Sequence, residues 1–77
     1  MEELLDRITV DSDVLVGKPV IRGTRIPVYL IVEFVANGMT TKEILKEYPD
    51  LEAGDIQQAL KYVAWLAEEE VHSYTEA

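Results

Sequence analysis

Residues 37–43 read NGMTTKE, a stretch that admits two opposite folds. Asn-Gly between alternating apolar residues is a strong signal for a tight hairpin. Here the flanking apolar residues fall at Ile31, Val32 and Val35 and at Ile44, Leu45 and Tyr48, which is helical spacing. The stretch therefore ends one helix and begins another. Gly38 can take the left-handed conformation that closes a helix, and Asn37 tolerates the exit. Thr40 and Glu43 form a capping box, in which each side chain satisfies the other residue's free backbone amide. One helix is predicted over about 29–37 and a second from about 41.

Working outward, the second helix must stop by Tyr48, because Pro49 disfavours helical geometry in the residue before it and cannot donate a hydrogen bond. PDLEAGD, residues 49–55, is then a short connection. A third and longest helix is predicted over about 53–70, with Ile56, Ala59, Leu60, Val63 and Ala67 on its core stripe. Its start is weakly marked. Glu52 is a poor cap and Gly54 a poor helix former, so Glu52 and Asp55 are expected to help through the helix dipole. Upstream, RITVD (7–11) and TRIPV (24–28) are short, β-branched and bounded by Asp, Gly and Pro, as strands are. Two such strands need a third strand, a helical face or a second copy of the chain to be stable. With no internal repeat and no low-complexity linker, the reading is one domain over 1–77, mainly α: a strand and loop region at about 7–28, a body of three helices at about 29–70, and an acidic tail at 71–77.

Size and charge narrow the possible functions. A chain of 77 residues, 48% of them apolar, makes one small domain with a marginal core. Such domains lean on disulfides, metals or self-association. There is no cysteine, and His72 is the sole imidazole, so no metal or other cofactor is expected and self-association remains. The net charge of -8 repels phosphate backbones and anionic lipid, which confines any nucleic-acid contact to a local patch. The opening MEELLDRITV is acidic, and no apolar run approaches the roughly 18 residues of a membrane span, so a cytoplasmic protein is expected. Glu68, Glu69, Glu70 and Glu76 read as a solvated helix end.

Against this acidic background, GKPVIRGTRIPV (17–28) holds three of the seven cations and no acid, punctuated by Gly17, Pro19, Gly23 and Pro27. Followed by GMTTKEILKEYPDLEAGDIQQAL (38–60), it resembles the small prokaryotic proteins grouped as domain of unknown function 433, over about Ile8 to Ala67. The resemblance implies a helix-turn-helix-like three-helix body with an N-terminal strand region, homodimerisation, and a role as the antitoxin beside a PIN-like ribonuclease toxin. One departure stands out. Where relatives carry a Ser or Thr cap and then Pro before the "DI" helix, this chain has Glu52, Ala53 and Gly54, which leaves the seating of a recognition helix open.

Three sets of residues are candidates for function. Lys18, Arg22 and Arg25 either pair with acids of the same fold or a second subunit, or face a partner, since a guanidinium can fork onto carboxylates or a phosphate. The resemblance supplies such a partner in the carboxylate cluster of a PIN-like nuclease. Gln57, Gln58 and Lys61 lie on the side of the third helix away from its core stripe and could read bases, although polar residues there suit any surface helix. Tyr62, Trp65 and Leu66 make a second apolar side, expected to be a dimer interface unless the N-terminal strands fold back over Trp65. Catalysis is not expected: cysteine is absent, a Ser or Thr triad would depend on His72, the acids of DSD (11–13) suit an Asx turn, and Gly17 and Gly23 lack the rest of a phosphate loop. The expected function is an antitoxin-type homodimeric module that neutralises a PIN-like ribonuclease toxin, with autoregulatory DNA binding as a possible addition. The alternative is a stand-alone helix-turn-helix DNA-binding regulator.

Overall fold

The computed structural model describes residues 5–75, with side chains as far as Glu68. Its elements are β1 (Ile8–Val10), β2 (Pro19–Ile21), α1 (Val28–Ala36), α2 (Thr41–Glu47) and α3 (Ala53–Thr75). The α1–α2 junction follows its expected chemistry. Gly38 has φ +91°, its N–H donates to the Val35 carbonyl (3.0 Å), and the Met39 N–H donates to the Phe34 carbonyl (3.0 Å). That pair of bonds closes the last turn of α1. Thr40 Oγ1 then accepts from the Glu43 N–H (3.1 Å), and Glu43 Oε1 accepts from the Thr40 N–H (2.8 Å).

The strand region differs from expectation in one place. RITVD does contain β1, but its partner is Pro19–Ile21, antiparallel, with Ile8 opposite Ile21, Thr9 opposite Val20 and Val10 opposite Pro19. TRIPV forms only a bridge from Pro27 to Val20 before Val28 starts α1. Pro19 made its segment read as loop, yet a proline is compatible with the first position of a strand. Pro27, which has no N–H to give a ladder, takes the extended conformation that precedes a helix (φ -74°, ψ 148°). Between the strands, Asp11 Oδ1 accepts from the Asp13 N–H (2.9 Å) in an Asx turn. Leu15, Val16 and Gly17 follow with φ values of 51°, 56° and 79°. A β-branched residue at such an angle is strained, and Val16 carries that strain 93% exposed.

The core is one cluster: Ile21, Val28, Ile31, Ile44, Leu51, Ile56 and Ala59. All three helices and β2 feed it. The stripe assigned to α3 needs correction beyond its first half, because Ile56 and Ala59 are buried and Val63 is partly buried, whereas Leu60 (37%) and Ala67 are exposed. α3 also continues to Thr75 rather than ending near 70. No Pro or Gly interrupts residues 55–75, and Glu and Ala favour continuation. Among the described residues, no helix is long and apolar enough to cross a membrane.

A charged knot holds β1 to α3. Arg7 Nη1 donates to Glu52 Oε1 (2.7 Å) and Asp55 Oδ1 (3.0 Å), and the Arg7 N–H donates to Gln58 Oε1 (2.9 Å). Gln58 Nε2 donates in turn to Asp6 Oδ1 (2.8 Å), and the Arg7 carbonyl accepts from the Arg22 N–H (2.6 Å). The hydrogen bonds it donates to Glu52 and Asp55 push the guanidinium further towards its charged form. Asp55 is 6% exposed, and its other oxygen accepts from the Glu52 N–H (2.7 Å), half of a capping box. The weak-looking start of α3 is therefore capped by Asp55, whose carboxylate is held in turn by the arginine that precedes β1. Gly54 completes the arrangement: a Cβ there would lie 2.8 Å from Arg7 Cζ.

Three measurements test these contacts. Thr40→Ala should lower stability by about 1 kcal/mol in denaturant titration, with Thr40→Ser retaining most of it. Gly54→Ala should gain up to about 1 kcal/mol from helix propensity in an Arg7→Ala background, and visibly less when Arg7 is present, because the methyl group displaces the guanidinium. The hydrogen bond from Gln58, aided by the charges of Arg22 and Arg7, holds the Asp6 carboxyl below its usual 3.8. A lowered folded value means stability that is present above the unfolded value and fades as pH falls through the folded one. Asp6→Asn should flatten that acid limb of the stability profile.

Candidate interaction site

The turn from Ile21 to Ile26 is closed by four hydrogen bonds. The Thr24 N–H and Thr24 Oγ1 both donate to the Ile21 carbonyl (3.0 and 2.8 Å), the Ile26 N–H donates to Thr24 Oγ1 (3.0 Å), and the Ile21 N–H donates to the Ile26 carbonyl (3.0 Å). Gly23, at φ +80°, supplies a conformation that other residues adopt at a cost. The local sequence Gly-Thr fixes this shape, and the buried Val20, Ile21, Pro27 and Val28 on either side anchor it. Arg22 and Arg25 project from the anchored turn. Both are exposed, and neither forms an ion pair among the described residues.

The internal pairing that could have engaged these two arginines is made by Arg7 instead, a residue the sequence reading passed over. Its signal was indirect: two acids at a helix start with no cap leave room for a cation. Arg22 nevertheless shares a polar cleft of about 230 Å³ with Arg7, Asp50, Glu52 and Asp55. Arg22 therefore stands at the edge of the knot with its guanidinium uncommitted.

Lys18 does not belong with this pair. It precedes β2 and Arg22 follows it, so the two lie roughly 13 Å apart at opposite ends of a strand. Lys18 Nζ lies 5.7 Å from the centre of the Tyr29 ring, at the rim of an apolar groove that includes Pro19, Tyr62 and Leu66. Tyr29, 54% exposed, is a second surface residue that the sequence reading did not single out.

On α3 the polar set divides. Gln57 and Lys61 are exposed, whereas both ends of the Gln58 amide are engaged by Arg7 and Asp6. Tyr62 and Trp65 stand side by side with ring centres 6.2 Å apart, and Leu66 is 41% exposed. Leu5, Ile8 and Val10 approach Trp65 and Tyr62 but leave an open groove of about 340 Å³ between them. The described part of the N-terminal segment thus lies beside Trp65, which is half-buried.

A solved structure shares this architecture, and two further proteins resemble the chain in sequence. A crystal structure of a DUF433 member protein from Anabaena variabilis superposes with a TM-score of 0.76 at 33% identity, over 94% of this chain and 71% of that one. An uncharacterised protein from Sinorhizobium fredii, y4eO, is 42% identical over 55 residues, which are 71% of this chain and 25% of that protein, so the chain spans about a quarter of its relative's length. An uncharacterised protein from Archaeoglobus fulgidus is 71% identical over 24 residues, 31% of this chain and 67% of that protein. The family model described as "Protein of unknown function (DUF433)" matches residues 8–63, most of the described fold, and the chain belongs to that family.

Proposed function

We propose that this chain is an antitoxin-type interaction module that acts as a homodimer and neutralises a PIN-like ribonuclease by offering Arg22 and Arg25 to its metal-binding carboxylates. The observation that carries this reading is the hydrogen-bonded turn at 21–26, which fixes the backbone beneath two exposed arginines that form no ion pair among the described residues. Ordering a flexible arginine on binding costs free energy, and a fixed backbone beneath it reduces that cost. A planar fork also suits carboxylate pairs better than an ammonium does. The apolar side formed by half-buried Tyr62 and exposed Leu66, with Trp65 beside an open groove, supports self-association. DNA binding has weaker support, since Gln58 is engaged within the fold and Gln57 and Lys61 remain on a chain of net charge -8.

The experiment is to co-express the chain with a neighbouring reading frame that encodes a PIN-like acid cluster. Arg22→Glu and Arg25→Glu should each change stability by no more than about 1 kcal/mol, as exposed charges do. Binding should weaken by about 2–5 kcal/mol, a thirtyfold loss or more, and the ribonuclease should escape inhibition. Folded variants that still inhibit it overturn the assignment. The purified dimer, at twice -8 or -16, should bind random duplex at or below the weak end of the usual 10⁻⁴ to 10⁻⁶ M range at physiological salt. Tight sequence-independent binding would favour the stand-alone regulator. Light scattering should report a dimer, and Trp65→Ala should shift it towards monomer or unfold it.

A further inference from the structure

Among the described residues, the two-stranded sheet has one covered edge and one open edge. On its outer side β2 meets Pro27, and the Ile21 N–H donates there to the Ile26 carbonyl. Antiparallel ladders alternate, so that a residue turns both backbone groups to one neighbour and the next residue turns both to the other. Because Ile21 points towards Ile26, Val20 points towards β1 and its opposite number Thr9 points towards β2. The N–H and C=O groups of Ile8 and Val10 consequently face outward. Neither residue has a hydrogen bond to another described element beyond β2.

An open edge of this kind invites pairing, and monomeric proteins guard such edges with Lys, Pro, charges or bulges. Ile8-Thr9-Val10 carries none of these, and Val10 is 62% exposed. The groove alongside, lined by Leu5, Ile8, Val10, Tyr62 and Trp65, has no charged residue in a chain that holds fifteen acids. Backbone donors and acceptors next to an uncharged groove fit an extended apolar segment.

The geometry points to β1 of a second copy as that segment, antiparallel and centred on Thr9, so that two chains share a continuous four-stranded sheet with both α3 helices on one face. This rests on the dimeric reading above and says where the dimer closes. In that register Ile8 and the partner copy's Val10 exchange both backbone bonds, and Thr9 meets its own copy across the two-fold axis. An axis perpendicular to the sheet keeps Ile8 and Val10 of both copies on the side where Tyr62 and Trp65 lie. Arg7 and Asp11, at opposite ends of β1, carry opposite signs. Antiparallel copies therefore set unlike charges across from each other. Two strands of three residues are marginal alone, while four with a shared apolar face meet the usual requirement for a stable sheet.

The absence of cysteine gives a clean test. Thr9 and its copy would form a pair without mutual hydrogen bonds, with Cβ atoms about 4.5–5.5 Å apart at most, close enough for small backbone adjustments to admit a disulfide. Under mild oxidation Thr9→Cys should form a covalent dimer, twice 8.7 kDa, at least tenfold faster than exposed controls Asp13→Cys and Lys46→Cys. A monomer by light scattering at micromolar concentration overturns both the dimer and its edge. A dimer in which Thr9→Cys links no faster than the controls overturns the edge pairing alone. If Thr9→Cys does not fold, amide exchange on the unaltered chain decides: Ile8 and Val10 should gain protection as concentration rises, and unchanged rates overturn the proposal. Protection that appears only on adding another protein also overturns it, in favour of a strand supplied by that protein.

Discussion

The Arg7 knot is the contact on which the arrangement of this small fold depends. Without it, β1 would touch α3 only through apolar side chains, and the Asp55 carboxylate that caps the start of α3 would lose its cation. One guanidinium between Glu52 and Asp55, with the Arg7 backbone bonded to Gln58 and Arg22, ties β1, β2 and α3 together. Glu52 is largely exposed, so the ion pair to it contributes little by Coulomb attraction alone. Its importance lies in direction. Asp55 is buried and satisfied from two sides, and a buried carboxylate permits few other geometries.

How much of this was readable from the chain depends on sequence separation. The α1 exit at Gly38 and the Thr40–Glu43 box are local devices whose partners lie within a few residues, and they could be read directly. Strand β2 was missed because Pro19 outweighed Val20 and Ile21, and only the pairing with β1 establishes its extended conformation. The Arg7 contacts were out of reach for a related reason: Glu52 and Asp55 lie 45 and 48 residues away, and no periodicity links such positions. Gly54 shows the same limit. In the sequence it looked like a defect in a helix start, while in the fold it is the space into which a guanidinium fits.

The candidate site was partly legible. The cation-rich segment 17–28 drew attention by composition, and its Gly-Thr pair does build a closed turn beneath Arg22 and Arg25. What composition could not supply was division. Lys18 lies at the far end of β2 from Arg22 and joins Tyr29 at an apolar rim, so one basic stretch serves two separate surfaces. Helical spacing likewise put Gln57, Gln58 and Lys61 together, and the engagement of Gln58 with Asp6 and Arg7 separates them.

The unbroken length of α3 has a mechanical meaning. From Asp55 to Trp65 the helix rises about 15 Å, and nothing in that span bends it. Its inner side is anchored by buried Ile56 and Ala59 and partly buried Val63, so the charged knot and the aromatic pair ride on one stiff rod. A tilt of that rod by about 10° about the knot would sweep Trp65 through roughly 2.6 Å, more than a carbon radius, by simple geometry on that rise. The knot and the core contacts of Ile56 and Ala59 together therefore set the aim of the hydrophobic surface at Trp65 and Leu66.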